Sequence, residues 1–138
     1  MNGLSFFDTN VLVYADDASS PPKQERANAR FVEHFRRGTA VVSLQVLQEY
    51  FVAATRKLGL APEIAQRKVE ILARGRVVRL ETNDIIAAIE LHRLTQVSFW
   101  NALIVQAARS SGSMVLYTED LPHGAVLGGV RVVNPFLT

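Results

Sequence analysis

The chain reads as an α/β domain built on a central parallel sheet of about four or five strands, with helices on both faces. Three observations predict this. Short apolar runs such as Leu4–Phe7, Ala40–Ser43 and Met114–Tyr117 are too brief for globular helices and have the length of buried strands. Between them lie longer segments whose apolar residues recur at three- and four-residue spacing, the period of a helix. The two kinds alternate from end to end with no repeat, linker or low-complexity tract, the pattern of right-handed βαβ crossovers covering both faces of one sheet. At 138 residues, one domain over 1–138 is expected, burying roughly two-thirds of its unfolded surface.

The elements follow in order. Leu4–Phe7 forms the first strand, Asp8 stands where it must end, and Thr9 and Asn10 suit a tight turn into the short apolar segment Val11–Tyr14. Asp16–Pro22 reads as a polar loop. Lys23–Arg37 is a helix with Ala27, Phe31 and Phe35 on its core side and Gly38 at its end. After the strand Ala40–Ser43, a helix Leu44–Leu58 carries Leu47, Phe51, Ala54 and Leu58 along one stripe, with Glu49 off it. Gly59 ends that helix and Pro62 begins the next, to about Arg74, giving a helical hairpin. Its apolar residues Ile64, Val69 and Leu72 exceed what a one-layer cover needs, which suggests a groove for a partner helix. Arg76–Glu81 is a third strand. Thr82 caps a helix Asn83–Thr95 with Ile85, Ile89 and Leu94 inward and His92 as a hydrogen-bonded packing residue. Ser98 opens a nearly all-apolar, buried helix Phe99–Ser111, with Asn101 in its first turn and Gly112 as its stop. Met114–Tyr117 is the fourth strand, Gly124–Gly129 a loop, and Val130–Val133 the last strand.

Composition narrows the function classes. Hydrophobic residues make up 49% and charged residues 20% of the chain, a globular balance, and no apolar run approaches the ~20 residues of a membrane span. There are no cysteines and no basic-then-apolar start, so a cytoplasmic protein without disulfides is expected. The net charge of +2 permits nucleic acid as a partner without requiring it.

Asp8 and Asp120 each follow a strand, at the sheet edge where parallel α/β folds gather their ligands. Aspartate is also a favoured N-cap, and the residues alone leave both roles open to Asp8. Glu49 has Val46 three residues before it and Ala53 four after, so no cation on its own helix accounts for it. Three carboxylates meeting at that edge would repel unless a cation joined them, and oxygen ligands favour Mg²⁺ or Mn²⁺ over zinc. No phosphate-binding GxxxxGK[ST] loop, HExxH or GxSxG is present, which leaves metal-assisted phosphodiester cleavage favoured.

Four stretches carry a family resemblance: FFDTNVLVY (6–14), LQEYF (47–51), VSFWNALIVQAA (97–108) and LYTEDLPHG (116–124). Together they resemble the PIN-domain ribonucleases, and within them the VapC-type toxins of bacterial type II toxin–antitoxin pairs, over essentially the whole chain. The resemblance implies a PIN-like fold. Asp8, Glu49 and Asp120 then correspond to the family's acids around Mg²⁺ or Mn²⁺, with Thr118 as a neighbouring hydroxyl and Thr9 and Asn10 in support. It also implies a homodimer, a cognate antitoxin partner and RNA as substrate. One position departs: the family's buried helix usually reads SFWDA, and here Asn101 occupies the aspartate's place. Asparagine keeps an oxygen ligand but loses a charge, so weaker ion binding and lower activity are expected. That would describe a naturally attenuated enzyme or one disabled by substitution.

The leading expectation is thus a metal-dependent endoribonuclease toxin; the alternative is a non-catalytic PIN-like module that binds RNA or antitoxin without cutting. An aspartyl-phosphate protein built on Asp8 ranks behind both, because none of Lys23, Lys57 and Lys68 follows a strand tip.

Overall fold

The computed structural model describes residues 3–137. Its sheet has six strands, β1 (Ser5–Phe7), β2 (Ala40–Ser43), β3 (Arg76–Val78), β4 (Val115–Tyr117), β5 (Val126–Leu127) and β6 (Val130–Val133), in the order β3-β2-β1-β4-β6-β5. All pairings are parallel except β5 with β6. Every residue of β1 and β2 is buried. Since neighbouring strand residues point to opposite faces, helices must cover the sheet on both sides. Phe7 shows one face: its ring stacks on Tyr117 at 4.9 Å and meets Phe31 edge-on at 5.2 Å. Phe6, facing the other way, is also fully buried. Burying each such ring contributes roughly 1.5–3 kcal/mol.

Among the described residues six helices fill the layers: α1 (Thr9–Ala15), α2 (Pro21–Arg37), α3 (Leu44–Arg56), α4 (Pro62–Leu72), α5 (Thr82–Thr95) and α6 (Phe99–Ser110). Their ends obey local chemistry. The side chains of Ser43 and Ser98 accept from the backbone N–H groups of Val46 and Asn101, capping α3 and α6. Gly38 ends α2 at φ 72°. Among the described residues no helix is long and apolar enough to cross a membrane.

Several expectations need correction. α2 begins at Pro21, not Lys23, because two prolines fit a first turn whose N–H groups have no helical acceptor; the short segment Val11–Tyr14 lies within α1, capped by Asp8. On α3 the buried stripe is Val46, Tyr50 and Ala54, while Phe51 is exposed and Leu47 only half-buried. Phase was misjudged because both stripes are apolar, and tyrosine reaches the core by hydrogen-bonding its hydroxyl. In the hairpin Leu72 is core and Ile64 is exposed. On α5 only Ala88 is buried, and Ile85, Ile89 and Leu94 face outward. The cap of α5 is Glu81, which exchanges hydrogen bonds with Asp84 in a capping box. His92 is exposed, though its Nδ1 donates to the Val97 carbonyl at 2.5 Å. The 124–129 stretch contains β5, turned into β6 by Gly128 and Gly129 at φ 56° and 82°, the paired positive-φ geometry of a two-residue hairpin.

Candidate active site

From β1 the chain winds outward through β2 and β3, then crosses back to lay β4 on the other side of β1. The winding direction reverses between β1 and β4, and a crevice opens at the carboxyl ends of strands at such a point. Asp8 follows β1; Thr118, Glu119 and Asp120 follow β4. The Asp8 N–H donates to the Tyr117 carbonyl at 3.0 Å, tying the two strand tips together.

Asp8 is 4% exposed. One carboxylate oxygen accepts from the Thr9 N–H at 2.7 Å and so caps α1; the other accepts from the Thr118 hydroxyl at 2.8 Å. The capping role is therefore filled, and the same side chain stands at the strand edge with its second oxygen held by Thr118. Burial raises its pKa to about 6, and the charges of Asp120 and Glu49 push the same way, against the lowering effect of the Thr118 and Thr9 hydrogen bonds.

The remaining acids are wired to Asp8 through its neighbours. Asn10 Nδ2 donates to Asp120 at 3.0 Å and approaches the Thr118 hydroxyl at 3.3 Å, and the Asp120 N–H donates to that hydroxyl at 3.0 Å. Thr9 Oγ1 donates to Glu49 at 2.7 Å. Gln45, one turn before Glu49 on α3, donates to its other oxygen at 3.2 Å and to the Trp100 carbonyl at 3.5 Å. The structure thus brings Asp8, Glu49 and Asp120 together with Thr9, Asn10 and Thr118. Asn101 stands apart from this network, half-buried in the first turn of α6; among the described residues the link to it runs through the backbone carbonyl of its neighbour Trp100.

The donor set suits a hard divalent cation. Asp8 is a buried carboxylate whose pKa is raised partly by two other acids, and none of the ion pairs among the described residues involves Asp8, Glu49 or Asp120. All the candidate ligands are oxygens, the choice of Mg²⁺ and Mn²⁺. Among the described residues, however, no three acidic or histidine side chains already converge as a metal cage. Glu49 and Asp120 rest instead on the hydroxyl and amide donors of Thr9, Gln45 and Asn10, from which they could turn inward.

Beside the acids lies a cleft of about 750 Å³ between α1 and α3, whose lining includes Thr9, Asn10, Glu49, Glu119 and Asp120 together with Arg56 and Lys57. The sequence reading passed over Gln45 and Arg56, and weighed Lys57 only as a partner for a phosphorylated Asp8. The signal was available: counted along α3 from Glu49, they fall four before, seven after and eight after, all on one side of a helix. A second, apolar groove of about 460 Å³ between α3 and α4 is lined by Leu47, Gln48, Phe51, Gln66 and Val69.

The PIN-domain family profile matches residues 5–122. Three solved structures share the fold. A toxin–antitoxin complex from Klebsiella pneumoniae is 19% identical, with a TM-score of 0.71 over 95% of this chain and 97% of that one. VapBC from Salmonella typhimurium, bound to DNA, is 22% identical with a TM-score of 0.65 over 94% and 96%. VapC20 of Mycobacterium tuberculosis, a toxin that cleaves the sarcin–ricin loop, is 20% identical with a TM-score of 0.62 over 84% and 89%. No curated protein sequence matches the chain. At these identities the likeness to solved structures speaks for the fold, while the family match spans most of the chain together with β1, β4 and all three acids: the protein belongs to the PIN-domain family.

Proposed function

We propose that this protein is a Mg²⁺- or Mn²⁺-dependent endoribonuclease, the toxin of a toxin–antitoxin pair, attenuated by Asn101. The observation that carries the reading is the buried Asp8 carboxylate, wired through Thr118 and Asn10 to Asp120 and through Thr9 to Glu49 at the switch point of the sheet. Asp8, Glu49 and Asp120 would hold the ion, with the Asn101 amide oxygen in place of a fourth carboxylate. A divalent ion there supplies positive charge for the phosphodiester and makes a water more acidic. The chain's own groups prepare the rest. Thr118 and the backbone of Thr9 fix Asp8, Asn10 and Thr118 steer Asp120, and Thr9 and Gln45 hold both oxygens of Glu49. A further expectation carried by the family is a homodimer working in the cytoplasm, with an antitoxin helix covering the Leu47–Phe51–Val69 groove.

The alternative, a PIN-like module that binds RNA or antitoxin without cutting, is favoured by Asn101 and by acids not yet converged on one point. Calorimetric Mn²⁺ titration of the parent, Asp8→Ala and Asp120→Ala separates the two. Loss of binding in either variant is expected. Unchanged binding in both would mean that the acids share no ion and would leave the binding module as the better reading.

A further inference from the structure

The cleft beside the acids carries both acidic and basic side chains, and the proposed reaction uses only the acids. Glu49, Asp120, Glu119 and Asp17 line it, and so do Arg56 and Lys57, with the apolar Val13 and Val52. Glu49, Val52 and Arg56 follow one another along α3 at spacings of three and four, so they share a helix face, and Arg56 lies roughly 10 Å beyond Glu49 along the axis. The ion pairs among the described residues are Lys23–Glu119, Arg37–Glu33, Arg67–Glu70 and Lys68–Asp16; Arg56 and Lys57 belong to none of them. Both are exposed. A cation in the last turn of a helix also complements the helix dipole, but that would favour Arg56 equally on any face of α3 and gives no reason for it to line the acid cleft.

We infer that Arg56 and Lys57 are positioning residues that grip a phosphate of the RNA strand other than the one being cut, the strand running along the cleft with its sugar and base against Val13 and Val52. The inference rests on the ribonuclease reading and adds to it which part of the substrate the chain holds. Arg56 and Lys57 sit about two helical turns beyond Glu49 on α3, so in this reading they add binding energy from a phosphate remote from the reacting one. A substrate with a single phosphodiester cannot supply both phosphates. A longer strand can.

The test measures binding of a single-stranded oligoribonucleotide and of a dinucleoside monophosphate in Ca²⁺ across a salt series. The proteins compared are the parent, Arg56→Gln/Lys57→Gln, the charge-preserving Arg56→Lys/Lys57→Arg, and Arg67→Gln as a control outside the cleft. Each phosphate contact contributes about 0.7 to the slope of log affinity against log salt for a single strand. The neutral double variant should therefore lose between about 0.7 and 1.4 of slope for the oligomer and nothing for the dinucleotide. The charge-preserving variant and Arg67→Gln should keep the parent's slope, which removes any effect of α3 stability from the comparison. An unchanged slope in the neutral variant, or equal losses for oligomer and dinucleotide, overturns the inference and leaves the ribonuclease reading standing. If the parent binds no RNA at all, both fall.

Discussion

Asp8→Asn should make the metal-free protein more stable at neutral pH. The carboxylate of Asp8 is 4% exposed and its pKa stands at about 6, against an ordinary value of 3.8. Holding it ionised therefore costs about 2 pKa units, or roughly 3 kcal/mol, relative to its neutral form. Asparagine resembles that neutral form, and it caps a helix as well as aspartate does. Against this, the new amide N–H would face a Thr118 oxygen already approached by Asn10 and by the Asp120 N–H, which costs about 1–2 kcal/mol. The net gain at pH 7 is about 1–2 kcal/mol, or roughly 3–8 °C in Tm for a chain of this size. The sign with pH is fixed by the direction of the shift. A raised folded-state pKa means that the protonated acid stabilises the fold fully below about pH 4, and that this stability is lost as the pH rises through about 6. In chelator, the variant should be no more stable than the parent at pH 4 and more stable at pH 7, with the crossing between. Urea denaturation at several pH values measures this directly. A variant less stable than the parent at pH 7, or a difference that is flat from pH 4 to 7, would refute the reasoning.

Other outcomes follow from the same geometry. Asn101→Asp should raise Mn²⁺-dependent cleavage of single-stranded RNA by ~10²–10³ and chelator should abolish it; equal, metal-insensitive activity in parent and variant would remove this position from the site. Tyr50→Phe should cost about 1–3 kcal/mol in urea denaturation, because the fully buried phenol donates to Asp16 at 2.6 Å, and burial with that acid keeps it protonated well above its ordinary range. Asp16 is also held by Lys68 at 3.2 Å, so Lys68→Met should weaken the same tie of α1 to the hairpin, and a double-mutant cycle with Tyr50→Phe should be non-additive. Hydrogen exchange should slow in α3 and α4 when an antitoxin is added; no added protection in either helix would exclude the Leu47–Phe51–Val69 groove as its seat.

How far the sequence revealed this molecule depended on whether a residue answers to local or to distant neighbours. Strand positions were readable because Phe6, Phe7, Val41 and Leu116 are buried within short, mostly apolar runs that admit no charged residue. The acids were readable because each breaks an apolar or helical pattern without a compensating cation. The phase of α3 was not, since Leu47 and Phe51 are as apolar as Val46 and Tyr50, and only the hydroxyl of Tyr50 meeting Asp16 across the fold decides between them. On α5 Ile85, Ile89 and Leu94 suggested a core face, yet the contact with α6 runs through Ala88, Ala102 and Leu103 and leaves those larger residues outside. Asn10 was noted as a turn former; its grip on Asp120 depends on a partner 110 residues away and leaves no mark on the local pattern.

That distance has a consequence for when the protein can act. The first strand made is the central one, and Asp8 leaves the ribosome long before its partner Thr118, 110 residues later. At translation rates of about 5–20 residues per second, Asp8 waits on the order of 5–20 s for the hydroxyl that fixes it. Until β4 docks beside β1 there is no crevice and no third acid. A nascent chain therefore carries no assembled site until residues 115–120 have been made and β4 has docked beside β1.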